Sequence, residues 1–147
     1  MPSANYDIEN ALGFLLNRNG KMMSKRLHQK FVENGYHLGE GEWPVLVHLW
    51  LQDGRYQKEL TENLCRDKGS IARIIQGMEL NNLVVRIADE NDKRNKRLYL
   101  TYKGKCLKEK LLPLAEEMTE ETRKGISEDD MQICKKVLHK IFENLSN

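Results

Sequence analysis

Between Asp67 and Thr101 the spacing of apolar residues changes from that of a helix to that of a strand, and this change limits the folds open to the chain. Ile71, Ile74, Ile75 and Met78 recur at intervals of three, one and three, so they share one face of a helix running from Asp67 or Lys68 to about Asn81. At roughly 100° per residue, Gly69, Arg73 and Gln76 fall on the opposite side, with Ser70 at its edge. Asn82 can close that helix in a left-handed conformation, a role glycine fills more often. Leu83 to Ile87 then reads as a β-branched strand and Arg97 to Thr101 as its return. Four cations crowd the five positions from Lys93 to Arg97 at the turn between them. A helix with a polar outer face thus feeds directly into a hairpin with a basic tip.

The flanking sequence supplies the rest of a winged helix-turn-helix. A shorter helix precedes the unit, about Gln57 to Leu64, with Leu60 and Leu64 turned inward. Upstream, Ile8, Leu12, Leu15, Met22, Leu27 and Phe31 lie close to one stripe and predict a single long helix ended by Asn34-Gly35. After Gly39 and Gly41, Pro44 sits where a first helical turn tolerates it, and an apolar helix reaches Gln52 before Asp53-Gly54 breaks it. Beyond the hairpin, Thr101 can cap a helix to about Lys124 with the stripe Leu107, Leu111, Leu114 and Met118, kinked at Pro113. Ser127 can cap a last helix, its acidic start (Glu128 to Asp130) suited to the positive helix end. The seam Met131, Cys134, Leu138, Ile141 and Leu145 on this helix needs a surface to pack on.

This geometry suits a polyanion. A helix of this kind fits a major groove about 12 Å wide, where each base pair shows a distinct donor and acceptor pattern. Arg73 can present its guanidinium fork to a guanine edge, and Gln76 suits adenine. Gly69 keeps the approach free of bulk. Gln57, Lys68 and Ser70 stand near helix starts, where side chains and backbone N–H groups hold phosphates. Lys93, Arg94, Lys96 and Arg97 would follow the backbone or enter the minor groove. The overall charge of the 147-residue chain is only +2, yet Asn82 to Lys105 holds seven Lys or Arg against three Asp or Glu. The distribution matters more than the total.

Other classes find less support. With 39% hydrophobic and 31% charged residues the chain is expected to form one soluble domain burying roughly 70% of its unfolded surface. The apolar stretch Ala11 to Leu16 has no basic leader and is far too short to span a bilayer, so a cytoplasmic location is expected. Cys65, Cys106 and Cys134 form no paired motif and are expected to be buried free thiols. His28, His37, His48 and His139 show no helical ligand pair, which predicts no metal site. No nucleophile elbow, phosphate loop or Cys-His pairing points to an enzyme, and no cofactor is expected.

In order along the chain, "GEWPVLVHLW", "YQKELTENL", "DKGSIARIIQGMELNNLVVR" and "DENDKRNKRLYLTYKGK" resemble the MarR family of bacterial winged-helix transcription regulators. The most specific part is Asp92-x-Arg94 followed by a strand and Leu100-Thr101-x-x-Gly104. The resemblance implies a mainly α fold with a small β-wing, a winged helix-turn-helix flanked by N- and C-terminal dimerisation helices. Residues 1–147 would form one such domain, with 1–39 and 102–147 as the helical dimerisation region and 40–101 as the DNA-binding region. It implies a homodimer on a pseudo-palindromic operator, commonly a repressor whose DNA affinity an effector lowers. Ile8, Leu12, Leu15, Leu138, Ile141 and Leu145 would hold the dimer. Arg73 would contact a base, Arg94 would be the wing-tip arginine, and Asp92 would orient it or a neighbouring cation. Departures stand at Ala72, Tyr56 and Asn82, and at Leu80, which is expected to pack under the wing. Trp43, His48, Tyr36 and Arg18 are candidates to line a pocket for a small aromatic effector. A winged-helix module that binds proteins, or a metal- or redox-sensing regulator of the same fold, are the alternatives.

Overall fold

The computed structural model describes residues 5–146. A 3-10 turn, Ile8–Asn10, is followed by α1 (Leu12–Glu33), α2 (Glu42–Leu51), β1 (Arg55–Tyr56), α3 (Gln57–Asn63), α4 (Lys68–Leu80), β2 (Val84–Ala88), β3 (Lys96–Leu100), α5 (Tyr102–Arg123) and α6 (Glu128–Leu145). These elements form two compact units, one of residues 28–113 and one joining the chain up to Leu27 with the chain from Leu114. The fold is mainly α with a winged helix-turn-helix in the first of these units.

That unit is built around the apolar faces foreseen for α3 and α4. Leu60, Ile71, Ile75 and Met78 are fully buried, together with Phe31, Val45, Leu46, Leu49, Leu98 and Leu111. The start of α4 is fixed by Asp67, whose carboxylate accepts the Ser70 N–H at 2.8 Å. Its end is fixed by Asn82 at φ 59°. There the Asn82 N–H donates to the Glu79 carbonyl (3.0 Å) and the Leu83 N–H to the Met78 carbonyl (2.9 Å), the bond pair of a left-handed helix terminus. The chain is thereby turned straight into the sheet.

The three strands are antiparallel in the order β1-β3-β2. Val84 pairs with Leu100, Arg86 with Leu98 and Ile87 with Arg97, which puts Val84, Leu98 and Leu100 on the buried face. Both hairpin strands lie one position from the expected spans. Leu83 is taken by closure of α4, and its carbonyl accepts the Thr101 N–H at 3.0 Å. Thr101 in turn caps α5, its Oγ1 accepting the Gly104 N–H at 3.0 Å. β1 was not foreseen, since two residues carry no period; Tyr56 pairs with Arg97 across it. Outside the ladder, Arg86 of β2 pairs with Glu79 of α4 at 2.9 Å.

The terminal stretches depart from expectation at one point. No single helix runs from Ile8, because Asp7 accepts the Asn10 N–H and closes a separate turn, and Ala11 is extended at ψ 135°. Ile8 is therefore off the stripe of Leu12 and Leu15. The other end of α1 is as expected, with Gly35 at φ 85° and the Tyr36 N–H bonded to the Phe31 carbonyl at 2.8 Å. In the terminal unit Arg26 of α1 pairs with Glu121 of α5. Ser127 caps α6 through the Asp130 N–H at 3.1 Å. Along α6 no residue is buried; Ile133, Val137, Leu138, Phe142 and Leu145 lie open, Leu145 at 80% exposure. Leu12 of α1 is 54% exposed.

Two further expectations fail for reasons of helix phase. Leu80 does not pack under the wing: it is 82% exposed, because it lies two positions past Met78 and so on the outward side of α4. The three cysteines are exposed rather than buried. Cys65 occupies a left-handed position (φ 51°) just past the end of α3, Cys106 lies off the Leu107–Leu111 stripe, and Cys134 belongs to the uncovered α6.

Candidate nucleic-acid interface

One face of α4 carries the residues expected to read bases. Lys68, Gly69, Arg73 and Gln76 are exposed there, and Ser70 is half-buried at the helix start. The opposite face holds the buried isoleucines, so α4 cannot rotate to withdraw Arg73 without breaking the core. Gln57 is the first residue of α3. It is half-buried, and its Oε1 has no hydrogen-bond partner among the described residues.

Arg66 is a member of this region that the sequence reading missed. Its Nη2 lies 2.7 Å from Glu40 Oε1, and its Nη1 donates to Ser70 Oγ at 3.3 Å. With its oxygen accepting from Arg66, the Ser70 hydroxyl keeps its own proton for an acceptor such as a phosphate. The signal available in sequence was only a cation one residue before a helix cap.

The tip of the hairpin is shaped by its acids. Asp92 Oδ1 accepts the Arg94 N–H at 3.1 Å, and the Asp92 carbonyl accepts the Asn95 N–H at 3.0 Å. Asp92 thus folds the tip backbone beneath Arg94, and among the described residues it makes no bond to the Arg94 guanidinium or to a neighbouring cation. Aspartate favours such local bonds because its short side chain reaches a backbone N–H two residues on. Lys93, Arg94 and Lys96 project from the tip, all exposed.

Arg97 was grouped with them but is placed elsewhere. It points across the sheet, donating from Nη1 to the Gly54 carbonyl (3.0 Å) and from Nη2 to the Tyr56 hydroxyl (2.7 Å). The reason is strand alternation, which sends it to the side where Tyr56 is its direct partner in β1. The Tyr56 hydroxyl donates onward to Asp89 Oδ2 at 3.0 Å. That bond to Asp89 and partial burial push the phenol above its ordinary range, against the opposing pull of Arg97. At neutral pH the hydroxyl therefore keeps the proton it donates.

Of the candidate effector residues, Tyr36, Trp43 and His48 belong to the winged unit and Arg18 to the terminal unit. Trp43 packs its ring against Phe31 (5.0 Å between centres) and Trp50 (5.6 Å). His48 Nδ1 is 2.8 Å from the Pro44 carbonyl, and Tyr36 is half-buried in the same unit. Arg18 belongs to the terminal unit and lies over the Phe14 ring at 5.4 Å. Among the described residues no cluster of three His, Cys, Asp or Glu could hold a metal ion, and no helix is long and apolar enough to cross a membrane.

Known proteins with this arrangement point one way. The family model described as MarR family matches residues 38–96, from the turn before α2 to the wing. The chain is similar to a MarR transcriptional regulator from Methanosarcina mazei Go1, at 30% identity and a TM-score of 0.82, covering 90% of this chain and 94% of that one. It shares its fold with a MarR family regulator from Listeria monocytogenes solved in complex with 26mer DNA, at 24% identity and a TM-score of 0.84, covering 93% and 90%. It is also 28% identical over 141 residues to the organic hydroperoxide resistance transcriptional regulator of Bacillus subtilis (strain 168), covering 94% of this chain and 91% of that relative.

Proposed function

The chain belongs to the MarR family, and from this we propose that it is a sequence-specific DNA-binding transcription regulator, a repressor whose hold on DNA a small-molecule effector loosens. In this reading α4 enters the major groove with Arg73 and Gln76 on base edges. Gln57, Lys68, Gly69 and Ser70 face phosphates, and Lys93, Arg94 and Lys96 grip the neighbouring backbone or minor groove. The terminal regions, 1–39 and 102–147, pair two copies through Leu12, Leu15, Leu138, Ile141 and Leu145, with Ile8 beside them. Two winged regions, 40–101, then meet the halves of a pseudo-palindrome.

One observation carries the reading. The arginines on the inner and lateral parts of the winged unit are engaged: Arg55 with the His48 carbonyl, Arg66 with Glu40, Arg86 with Glu79 and Arg97 with Gly54 and Tyr56. Of the six arginines in that unit, Arg73 and Arg94 alone make no side-chain bond among the described residues, and they stand on the α4 face and the wing tip, with Lys93 and Lys96 open beside Arg94. A fold that satisfies its lateral arginines and leaves these cations open presents them to an anion outside itself.

The test is a titration of the protein with DNA from upstream of its own gene and with shuffled DNA, across ionic strengths. The reading expects tighter binding to the upstream DNA, a footprint with two-fold symmetry, and affinity falling steeply with salt. Addition of aromatic ligands should shift the upstream curve. Equal, salt-insensitive failure on both DNAs would move the chain to a protein-binding role.

A further inference from the structure

The side-chain arrangement least expected from sequence joins the base of the wing to the start of α3. Arg97, on the central strand, holds the Gly54 carbonyl and the Tyr56 hydroxyl, with its guanidinium carbon 4.1 Å from the centre of the Tyr56 ring. The hydroxyl donates to Asp89, the first residue past β2. Asp89 also closes the tip, its N–H bonded to the Asn95 carbonyl at 2.9 Å. Tyr56 itself immediately precedes α3. An acid, a phenol and a guanidinium thus link the end of β2, the second residue of β3 and the entrance to the helix pair.

We propose that Tyr56, Asp89 and Arg97 form a clasp that sets the direction of the wing tip relative to α3 and α4. They are positioning residues for Lys93 and Arg94 and make no contact with DNA themselves, an assignment that rests on the DNA-binding reading above. A hairpin without support is marginally ordered. Between Asp89 and Asn95 no buried side chain anchors this one. If the tip were ordered only on DNA, its lost conformational freedom would subtract from affinity. The clasp orders it beforehand. A phenol is needed because a serine or threonine at position 56, the usual cap, is too short to reach across the sheet to Asp89. Arg97 also offsets the negative charge that Asp89 would otherwise bring to a phosphate-facing loop.

Tyr56→Phe tests this without changing charge or removing the ring. Loss of the hydroxyl is expected to weaken binding to the upstream DNA by roughly threefold to tenfold, the range of one net hydrogen bond. On top of Lys93→Ala and Arg94→Ala together the same change should cost nothing further, since the contacts it positions are already gone. Asp89→Ala separates the clasp from simple electrostatics by sign. Removing an acid beside phosphates would tighten binding, whereas losing the clasp weakens it; Asp89→Asn, which keeps an acceptor, should bind at least as well as the native chain. Unchanged binding by Tyr56→Phe, an equal loss with and without Lys93 and Arg94, or tighter binding by Asp89→Ala would each overturn the proposal. Amide exchange in the free protein gives a readout that needs no DNA: Asp89 and Asn95 N–H groups should exchange faster in Tyr56→Phe. If the native protein binds no DNA while this exchange difference appears, the functional reading has failed and the clasp stands; unaltered exchange removes the clasp.

Discussion

Arg73 and Arg94 are both exposed arginines, yet their settings give them different work. Arg73 is fixed by α4, whose opposite face is locked into the core, so in the DNA-binding reading its guanidinium would address only a narrow range of base edges. Arg73→Ala is expected to cost about 1–3 kcal/mol on the preferred DNA and to relax selection at one base pair. Binding curves on a panel of single-base variants would show it; equal losses on preferred and shuffled DNA would make Arg73 a phosphate contact. Arg94 rides on a backbone turn held by Asp92, and its guanidinium makes no side-chain bond of its own among the described residues. Arg94→Ala should weaken preferred and shuffled DNA alike and reduce the salt slope by about one if it neutralises a phosphate. A slope that does not move would take the wing tip out of the interface.

At the scale of elements, the junction of wing and α5 is the least forgiving place in the winged unit. A Cβ at Gly104 would stand 2.3 Å from the Leu83 carbonyl oxygen, in the path of the backbone that joins α4 to β2. Because the obstacle is main chain, Gly104→Ala must push the helix off the sheet, at about 1–3 kcal/mol. Thermal denaturation would register this as a lower midpoint, and an unshifted midpoint would mean the junction yields more easily than its packing implies. Asn82 has the opposite tolerance: at φ 59° a glycine there should be accepted, while Asn82→Ala should destabilise by about 1 kcal/mol. These junctions also mark what sequence could convey. The period of Ile71, Ile74, Ile75 and Met78, the cap at Asp67 and the left-handed Asn82 are local signals, and α4 and the hairpin were legible from them. β1 was not, because two residues have no period and pair only once β3 is in place. Arg97 counted as one more wing cation until its strand partner Tyr56 was known. Leu80 and Cys65 depended on helix phase at a terminus, where a single residue reverses the side.

At the scale of the whole molecule, α6 is the element whose apolar side chains are left uncovered. A helix of this length with no buried residue and Ile133, Val137, Leu138, Phe142 and Leu145 open to water is unfinished as a monomer. Pairing with a second copy would complete it and set two α4 helices about one turn of DNA apart, roughly 34–36 Å. Introducing charge at Leu138 and Ile141 together should therefore abolish DNA binding. Sedimentation decides the matter, since a folded native monomer that still protects a two-fold site would exclude obligate pairing. A population of such molecules faces a second hazard, at the free edge of β2. The run Leu83-Val84-Val85-Arg86-Ile87-Ala88 has the β-branched, uncharged character of segments that stack between chains, but for Arg86. Its pairing with Glu79 stabilises the fold only modestly, as exposed ion pairs do. Its larger consequence is colloidal: Arg86 interrupts the segment as a gatekeeper, so replacing it with valine should leave the melting curve nearly in place while turbidity on heating rises steeply.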